Sequence, residues 1–208
     1  MYLISYGTRP ELIKLFPLIN IFKENNIDHK TIFTGQHEDL IKEFENLTHR
    51  PDFVLEKTMK HKQSINSLIY KIINESQKII NSYDCKVIIQ GDAASSFAVA
   101  LSAFNEGKEV IHVEAGLRTH NLRSPFPEEG FRKMISHISN IHFCPTIKSV
   151  ENLKNEGITE NVHLVGNTIV DSCAQIIDKG ESSDYLNELI SSNDDYYLCT
   201  LHRRENIN

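Results

Sequence analysis

A chain of 208 residues has room for one generous domain, or for one domain and the start of another, and 40% apolar with 24% charged residues is the balance of a globular protein with a real core. No run approaches the roughly 18 apolar residues that a membrane-spanning helix needs, and a formal charge of −6 argues against a nucleic-acid surface, which is bound by net basic faces. Cys85, Cys144, Cys173 and Cys199 are widely separated, with no CxxC pair and no clustering with histidine; neither a zinc site nor a disulfide framework is expected, and they read as buried free thiols.

In chain order, Tyr2 to Tyr6 is an apolar strand with no basic segment ahead of it and a glycine turn directly behind. It reads as a first strand and not as a secretory leader, so a cytoplasmic protein is expected. Further strands are predicted at His29 to Phe33, Phe53 to Leu55, Lys86 to Gln90, Glu109 to Glu114, Ile141 to Cys144 and Val162 to Val165. Helical patterns lie between them at Pro10 to Lys23, Glu38 to Leu47, Ser64 to Ser82, Ser95 to Asn105, Glu128 to Ser139 and Ile147 to Asn155. This alternation is the signature of βαβ units and of an α/β, doubly wound parallel sheet over residues 1–167. A helix at Thr168 to Asp178 and two polar segments make 168–195 a connecting linker. Tyr196 to Leu201 reads as a buried strand that opens a second domain at 196–208; a lone strand cannot bury itself, so a truncated chain is expected.

In open parallel sheets ligands bind beyond the carboxyl ends of the strands, which directs attention to the loops there. Gly7-Thr8-Arg9-Pro10-Glu11 follows the first strand. Gly7 permits a tight turn, Pro10 suits a helix start, and the helix N-terminus beside Arg9, with Lys14 one turn on, attracts an anion; the plainer alternative is an ordinary βα turn with surface charges. Asp92 and Glu114 follow two apolar strands. A carboxylate at a buried strand end is costly unless paired or used, although Asp92 could instead cap the next helix. Ser124-Pro125-Phe126-Pro127-Glu128-Glu129 is a stiff loop ending in two acids; helix-dipole compensation accounts for one, and the held shape turns the other toward a ligand. His202, after the last strand, reads either as a site residue or as a surface histidine. His137 and His142 show no metal-ligand spacing and read as incidental.

Taken together and in order, Gly-Thr-Arg-Pro-Glu at 7–11, Thr-Gly-Gln-His at 34–37, Gly-Asp at 91–92, Val-Glu-Ala-Gly-Leu-Arg-Thr at 113–119, Ser-Pro-Phe-Pro-Glu-Glu at 124–129, Gly-Asn-Thr at 166–168 and His-Arg-Arg-Glu at 202–205 resemble the non-hydrolysing UDP-N-acetylglucosamine 2-epimerase family. The resemblance implies the N-terminal half of a GT-B architecture, which has two Rossmann-like domains. It implies an isomerase that interconverts UDP-GlcNAc and UDP-ManNAc by eliminating UDP to give 2-acetamidoglucal and adding it back, supplying surface polysaccharide precursors. No redox cofactor and no metal is implied. Carried over by position, Asp92, Glu114, Glu128 and His202 are catalytic, and Arg9, Lys14, Arg118 and Arg132 bind a UDP-N-acetylhexosamine. Gln36, His37 and Arg203 fit an activator site between the domains, and the full-length protein is expected to be a homodimer.

Ala93, where the family usually has threonine, and Phe131, where it usually has asparagine, depart from the pattern, as do Asp39 and Lys62 around the activator site. The alternatives are a hydrolysing epimerase that releases ManNAc, a GT-B glycosyltransferase, and a non-catalytic nucleotide-sugar-binding half.

Overall fold

The computed structural model describes residues 1–35, 50–55, 63–178, 184–192 and 199. Seven parallel strands form one sheet: β1 (Tyr2–Tyr6), β2 (His29–Phe33), β3 (Phe53–Val54), β4 (Lys86–Gln90), β5 (Val110–Val113), β6 (Ile141–Cys144) and β7 (Val162–Leu164). Their spatial order is β3-β2-β1-β4-β5-β6-β7, so the chain winds outward in both directions from a switch point between β1 and β4. Every neighbouring pair is parallel. The helices are α1 (Arg9–Glu24), α2 (Ile65–Asn81), α3 (Ala94–Asn105), α4 (Glu128–Ile138), α5 (Ile147–Asn155), α6 (Ile169–Asp178) and α7 (Asp184–Ser191). The predicted strands and helices are present to within a residue or two at their ends. The predicted helix at 38–47 and the predicted strand at 196–201 lie outside the described residues, Cys199 apart.

Alternation along the central strands explains the two layers of core. Leu3, Val87, Ile89 and Val110 point to one face, where they meet Ile72, Ile80, Ala98, Ala103, Phe131 and Ile135 of α2, α3 and α4. Ile4, Ile88, Ile111 and Val113 point to the other, against Leu12, Leu15 and Ile19 of α1. Strands buried on both faces read as near-continuous apolar runs, which is why Val87-Ile88-Ile89 was legible.

Chain contacts divide the molecule into two compact units, Met1–Cys173 and Ala174–Asn208. The first unit holds all seven strands and its own core; the described part of the second is the end of α6 and α7. Within the first unit, α1 contains Pro17, which lacks an N–H and so leaves the carbonyl of Ile13 without its helical partner. The buried hydroxyl of Ser172 donates to that carbonyl. No helix among the described residues is long and apolar enough to cross a membrane. Cys85 and Cys144 are buried free thiols, but Cys173 and Cys199 are exposed, which corrects the expectation for those two.

Candidate active site

The chemistry of the sheet's carboxyl edge begins with register. Gln90 of β4 lies opposite Val113 of β5, and the Gly91 N–H donates to the Val113 carbonyl at 3.1 Å, so both strands end at one level beside the switch point. Gly91 turns the chain through a positive φ of 71° and Glu114 does so at 67°, a strained conformation for a residue with a side chain. Asp92 and Glu114 are thus delivered side by side from adjacent strands. Below them His112 of β5 donates from Nε2 to the Gly91 carbonyl at 2.8 Å, buttressing the turn that carries Asp92. Burial holds the His112 imidazole neutral, with its pKa pushed down to about 3.

Each of these carboxylates is tied through one oxygen. Oε2 of Glu114 receives Lys14 Nζ at 2.6 Å and Gln90 Nε2 at 2.7 Å. Oδ2 of Asp92 receives Arg132 Nε at 2.6 Å. Among the described residues Oε1 of Glu114 and Oδ1 of Asp92 have no partner. Lys14 and Arg132, read from the sequence as substrate-binding, therefore each hold a carboxylate. Asp92 does not cap α3: the cap position is Ala93, with no side-chain bond to the helix.

The two acids at the start of α4 divide sharply. Glu129 is entirely buried; it accepts the N–H groups of Thr119 at 3.0 Å and His120 at 3.1 Å, and Arg132 Nη1 at 3.1 Å. Burial acts to raise its pKa, but these donors outweigh it and the carboxyl is held below its ordinary range. Glu128 is half-buried and its side chain makes no hydrogen bond or ion pair among the described residues. It follows a loop in which the Ser124–Pro125 and Phe126–Pro127 bonds are both cis.

Two expectations change. Arg118 does not face a ligand: its side chain is 0% exposed, with Nε and Nη2 on Glu156 at 2.9 and 2.6 Å, Nη2 also on Ser136 Oγ, and Nη1 on the Leu117 carbonyl. A guanidinium so fully engaged is a buried structural ion. The first loop is likewise no open anion cradle, because the fully buried Glu11 closes it from within: its Oε2 accepts the Gly7 N–H at 2.8 Å and the Thr8 N–H at 2.6 Å, and the Ser96 hydroxyl donates to Oε1. With Thr8 as the cap this is a capping box. Gly7 is needed for close approach, since a Cβ there would lie 2.1 Å from Thr34 Oγ1. Arg9 stands exposed in the first turn of α1. His202, Gln36, His37 and Arg203 lie outside the described residues.

Among the described residues, a groove of about 300 Å³ lined by Tyr2, Lys86 and Glu109, and one of about 400 Å³ lined by Asn140, His142 and Glu160, lie at the amino ends of the strands. Placement of charge locates the candidate site at the carboxyl ends.

Sequence reading missed Gln90, Glu129, Glu11 and His112 as organising residues. The Thr8-x-x-Glu11 spacing was an available signal for the capping box. Nothing in the sequence separates Glu129 from Glu128 without knowing which side of α4 faces the core.

Fold and site define a doubly wound parallel-sheet domain with two carboxylates at adjacent strand ends beside the switch point. The family model for UDP-N-acetylglucosamine 2-epimerase matches residues 20–208, and the chain belongs to that family. It is 36% identical over 218 residues to the UDP-N-acetylglucosamine 2-epimerase of Campylobacter jejuni, covering 98% of this chain and 57% of that protein. Against the Salmonella borreze enzyme of the same name it is 38% identical over 216 residues, covering 98% and 57%. Among solved structures it is similar to the Methanocaldococcus jannaschii UDP-GlcNAc 2-epimerase in complex with UDP-GlcNAc and UDP, with a TM-score of 0.87, 38% identity, and 100% of this chain on 58% of that one. The Neisseria meningitidis enzyme bound to UDP-GlcNAc gives a TM-score of 0.80 at 36% identity, covering 86% and 50%. The chain spans about half the length of the relatives it matches.

Proposed function

We propose that the protein to which this chain belongs is a non-hydrolysing UDP-GlcNAc 2-epimerase acting through elimination and re-addition of UDP. The observation that carries the reading is the pair of strand-end carboxylates, Asp92 and Glu114, each paired with a cation through one oxygen and, among the described residues, open at the other, in a chain of this family. Carbon 2 of the sugar is not next to a carbonyl, so its proton cannot be removed by simple enolisation. When a carboxylate takes that proton, the C–H electrons form the bond between carbons 1 and 2, and the bond from carbon 1 to oxygen breaks with its pair going to UDP. Re-addition reverses each step with a proton delivered to the other face. Such chemistry needs two proton-transfer groups and cations beside the departing diphosphate. In this reading Asp92, Glu114 and Glu128 move protons, and Arg9 and His202 face the diphosphate. Lys14 and Arg132 keep their carboxylates oriented.

The test is product analysis of the protein carrying both halves that its relatives possess, by mass spectrometry and NMR with UDP-GlcNAc in deuterated water. UDP-ManNAc with deuterium at carbon 2 is expected. Free ManNAc and UDP would place the protein in the hydrolysing branch, and no conversion would overturn the reading. The 208-residue chain by itself is expected to show no turnover, because it spans only about half the length of the relatives it matches. The complete protein is expected to be a cytoplasmic homodimer, which light scattering and cell fractionation check.

A further inference from the structure

The paired acids at 128 and 129 stand one residue apart and do different things. Glu129 has no exposure and cannot touch a substrate, yet its carboxylate is the meeting point of three donors. Two are backbone N–H groups of Thr119 and His120, the stretch that carries the chain away from β5; His120 itself sits at a positive φ of 61°. The third is Nη1 of Arg132, one turn further along α4. The same guanidinium presents Nε to Asp92 at 2.6 Å. A planar guanidinium held at Nη1 has its Nε direction fixed as well, so the orientation of Arg132 is set from the buried side by Glu129 and delivered to Asp92 on the ligand side.

We infer that Glu129 is a positioning residue: through Arg132 it fixes Asp92 with Oδ2 engaged and Oδ1 open, and through Thr119 and His120 it ties that arrangement to the loop that leads to Glu128. The inference rests on the proposed reading of Asp92 as an acid–base group. It departs from the family's catalytic acids, because Glu129 acts only through another residue. Its charge matters more than its shape. A neutral side chain of the same size still accepts a backbone N–H, but it no longer opposes the guanidinium, and Arg132 is then restrained from the Asp92 side alone.

The experiment has two arms. In the 208-residue chain, hydrogen exchange at the Arg132 Nε–H is read by 1H–15N NMR. Glu129→Gln is expected to speed it at least about 10-fold, since a guanidinium pinned at both ends opens rarely. Exchange within 2-fold of wild type overturns the inference. In the complete protein, Glu129→Gln is expected to lower kcat for UDP-GlcNAc at least about 10-fold with KM changed less than about 3-fold. Glu129→Gln combined with Arg132→Lys should be no worse than Arg132→Lys, because both act through one contact. A kcat per folded molecule equal to wild type, or fully additive losses, overturns positioning and leaves a stabilising ion pair. Absence of turnover in the wild type overturns the epimerase reading instead, and the exchange arm then decides the orientation of Arg132 by itself.

Discussion

The β1–α1 loop and the ends of β4 and β5 lie on the same edge of one sheet, and both are polar and glycine-marked. In the loop, the Gly7 and Thr8 N–H groups go to Oε2 of Glu11, and the Ser96 hydroxyl of α3 lies between Oε1 of Glu11 and the Gln90 carbonyl. At the strand ends the pattern is reversed. Cations come from the helices, the carboxylates come from the strands, and each carboxylate keeps one oxygen open among the described residues. A helix N-terminus is an anion site only while its donors are vacant, so the loop closed by its own glutamate serves as a foundation, and the proposed chemistry falls to the strand ends.

The sharpest way to break that comparison is to remove Glu11. Glu11→Ala leaves two N–H groups without their acceptor, while the Ser96 hydroxyl keeps the Gln90 carbonyl at 2.7 Å, for a loss of stability on the order of 3 kcal/mol read by urea unfolding. If the loop were instead an open ligand cradle, the variant would fold normally and lose only affinity. The strand ends should respond in the opposite sense. Asp92→Asn and Glu114→Gln are each expected to lower kcat of the complete protein by about 10², equivalent to about 2.7 kcal/mol of transition-state free energy, with small effects on KM and on the unfolding midpoint. Amide variants with near-normal turnover and normal deuterium incorporation would make both carboxylates structural, like Glu11.

A third measurement concerns the support beneath Asp92. Burial lowers His112 to about 3 and His142, opposite it on β6, to about 4, from an ordinary 6.5. The unfolded chain then takes up protons at a higher pH than the folded one, so stability is complete above 6.5 and is lost as pH falls toward 4. At pH 5 the loss is roughly 2 kcal/mol for each imidazole. His112→Gln, which can still donate to the Gly91 carbonyl, should flatten the slope between pH 7.5 and 5. An unchanged slope would assign the acid sensitivity elsewhere.

The fold was legible because short β-branched apolar runs such as Val87-Ile88-Ile89, punctuated by glycines and polar residues, read as strands buried on both faces. Asp92 and Glu114 were legible for the same reason, as carboxylates directly behind such runs. Partners were not. Arg118 looks like Arg132 in the sequence, each beside a motif rich in acids, but Arg118 is turned inward to meet Glu156, which is 38 residues away. That pairing depends on how α5 packs beneath β5 and β6, and no local pattern encodes it. Gln90 was read as the last residue of a strand, and only the register with β5 places its amide on Glu114.

The smallest expected effect tests whether α1, which carries both Glu11 and Lys14, is pinned from behind. Pro17 deprives the Ile13 carbonyl of a helical donor, and the Ser172 hydroxyl supplies one from α6. That hydroxyl has one proton and a second acceptor within reach, the Thr168 carbonyl at 3.0 Å, so Ser172→Ala removes only a single bond to Ile13. The cost should be about 1 kcal/mol, a shift of a few degrees in Tm. The discriminating step is to repeat the substitution in a Pro17→Ala background. There the restored N–H at position 17 serves Ile13 directly, and the backbone effect of removing a proline is common to both arms of the cycle and cancels. Ser172→Ala should then cost close to nothing. An equal loss in both backgrounds would show that Ser172 matters for packing or for its own helix, and that α1 is held in place by its apolar face and Glu11 alone.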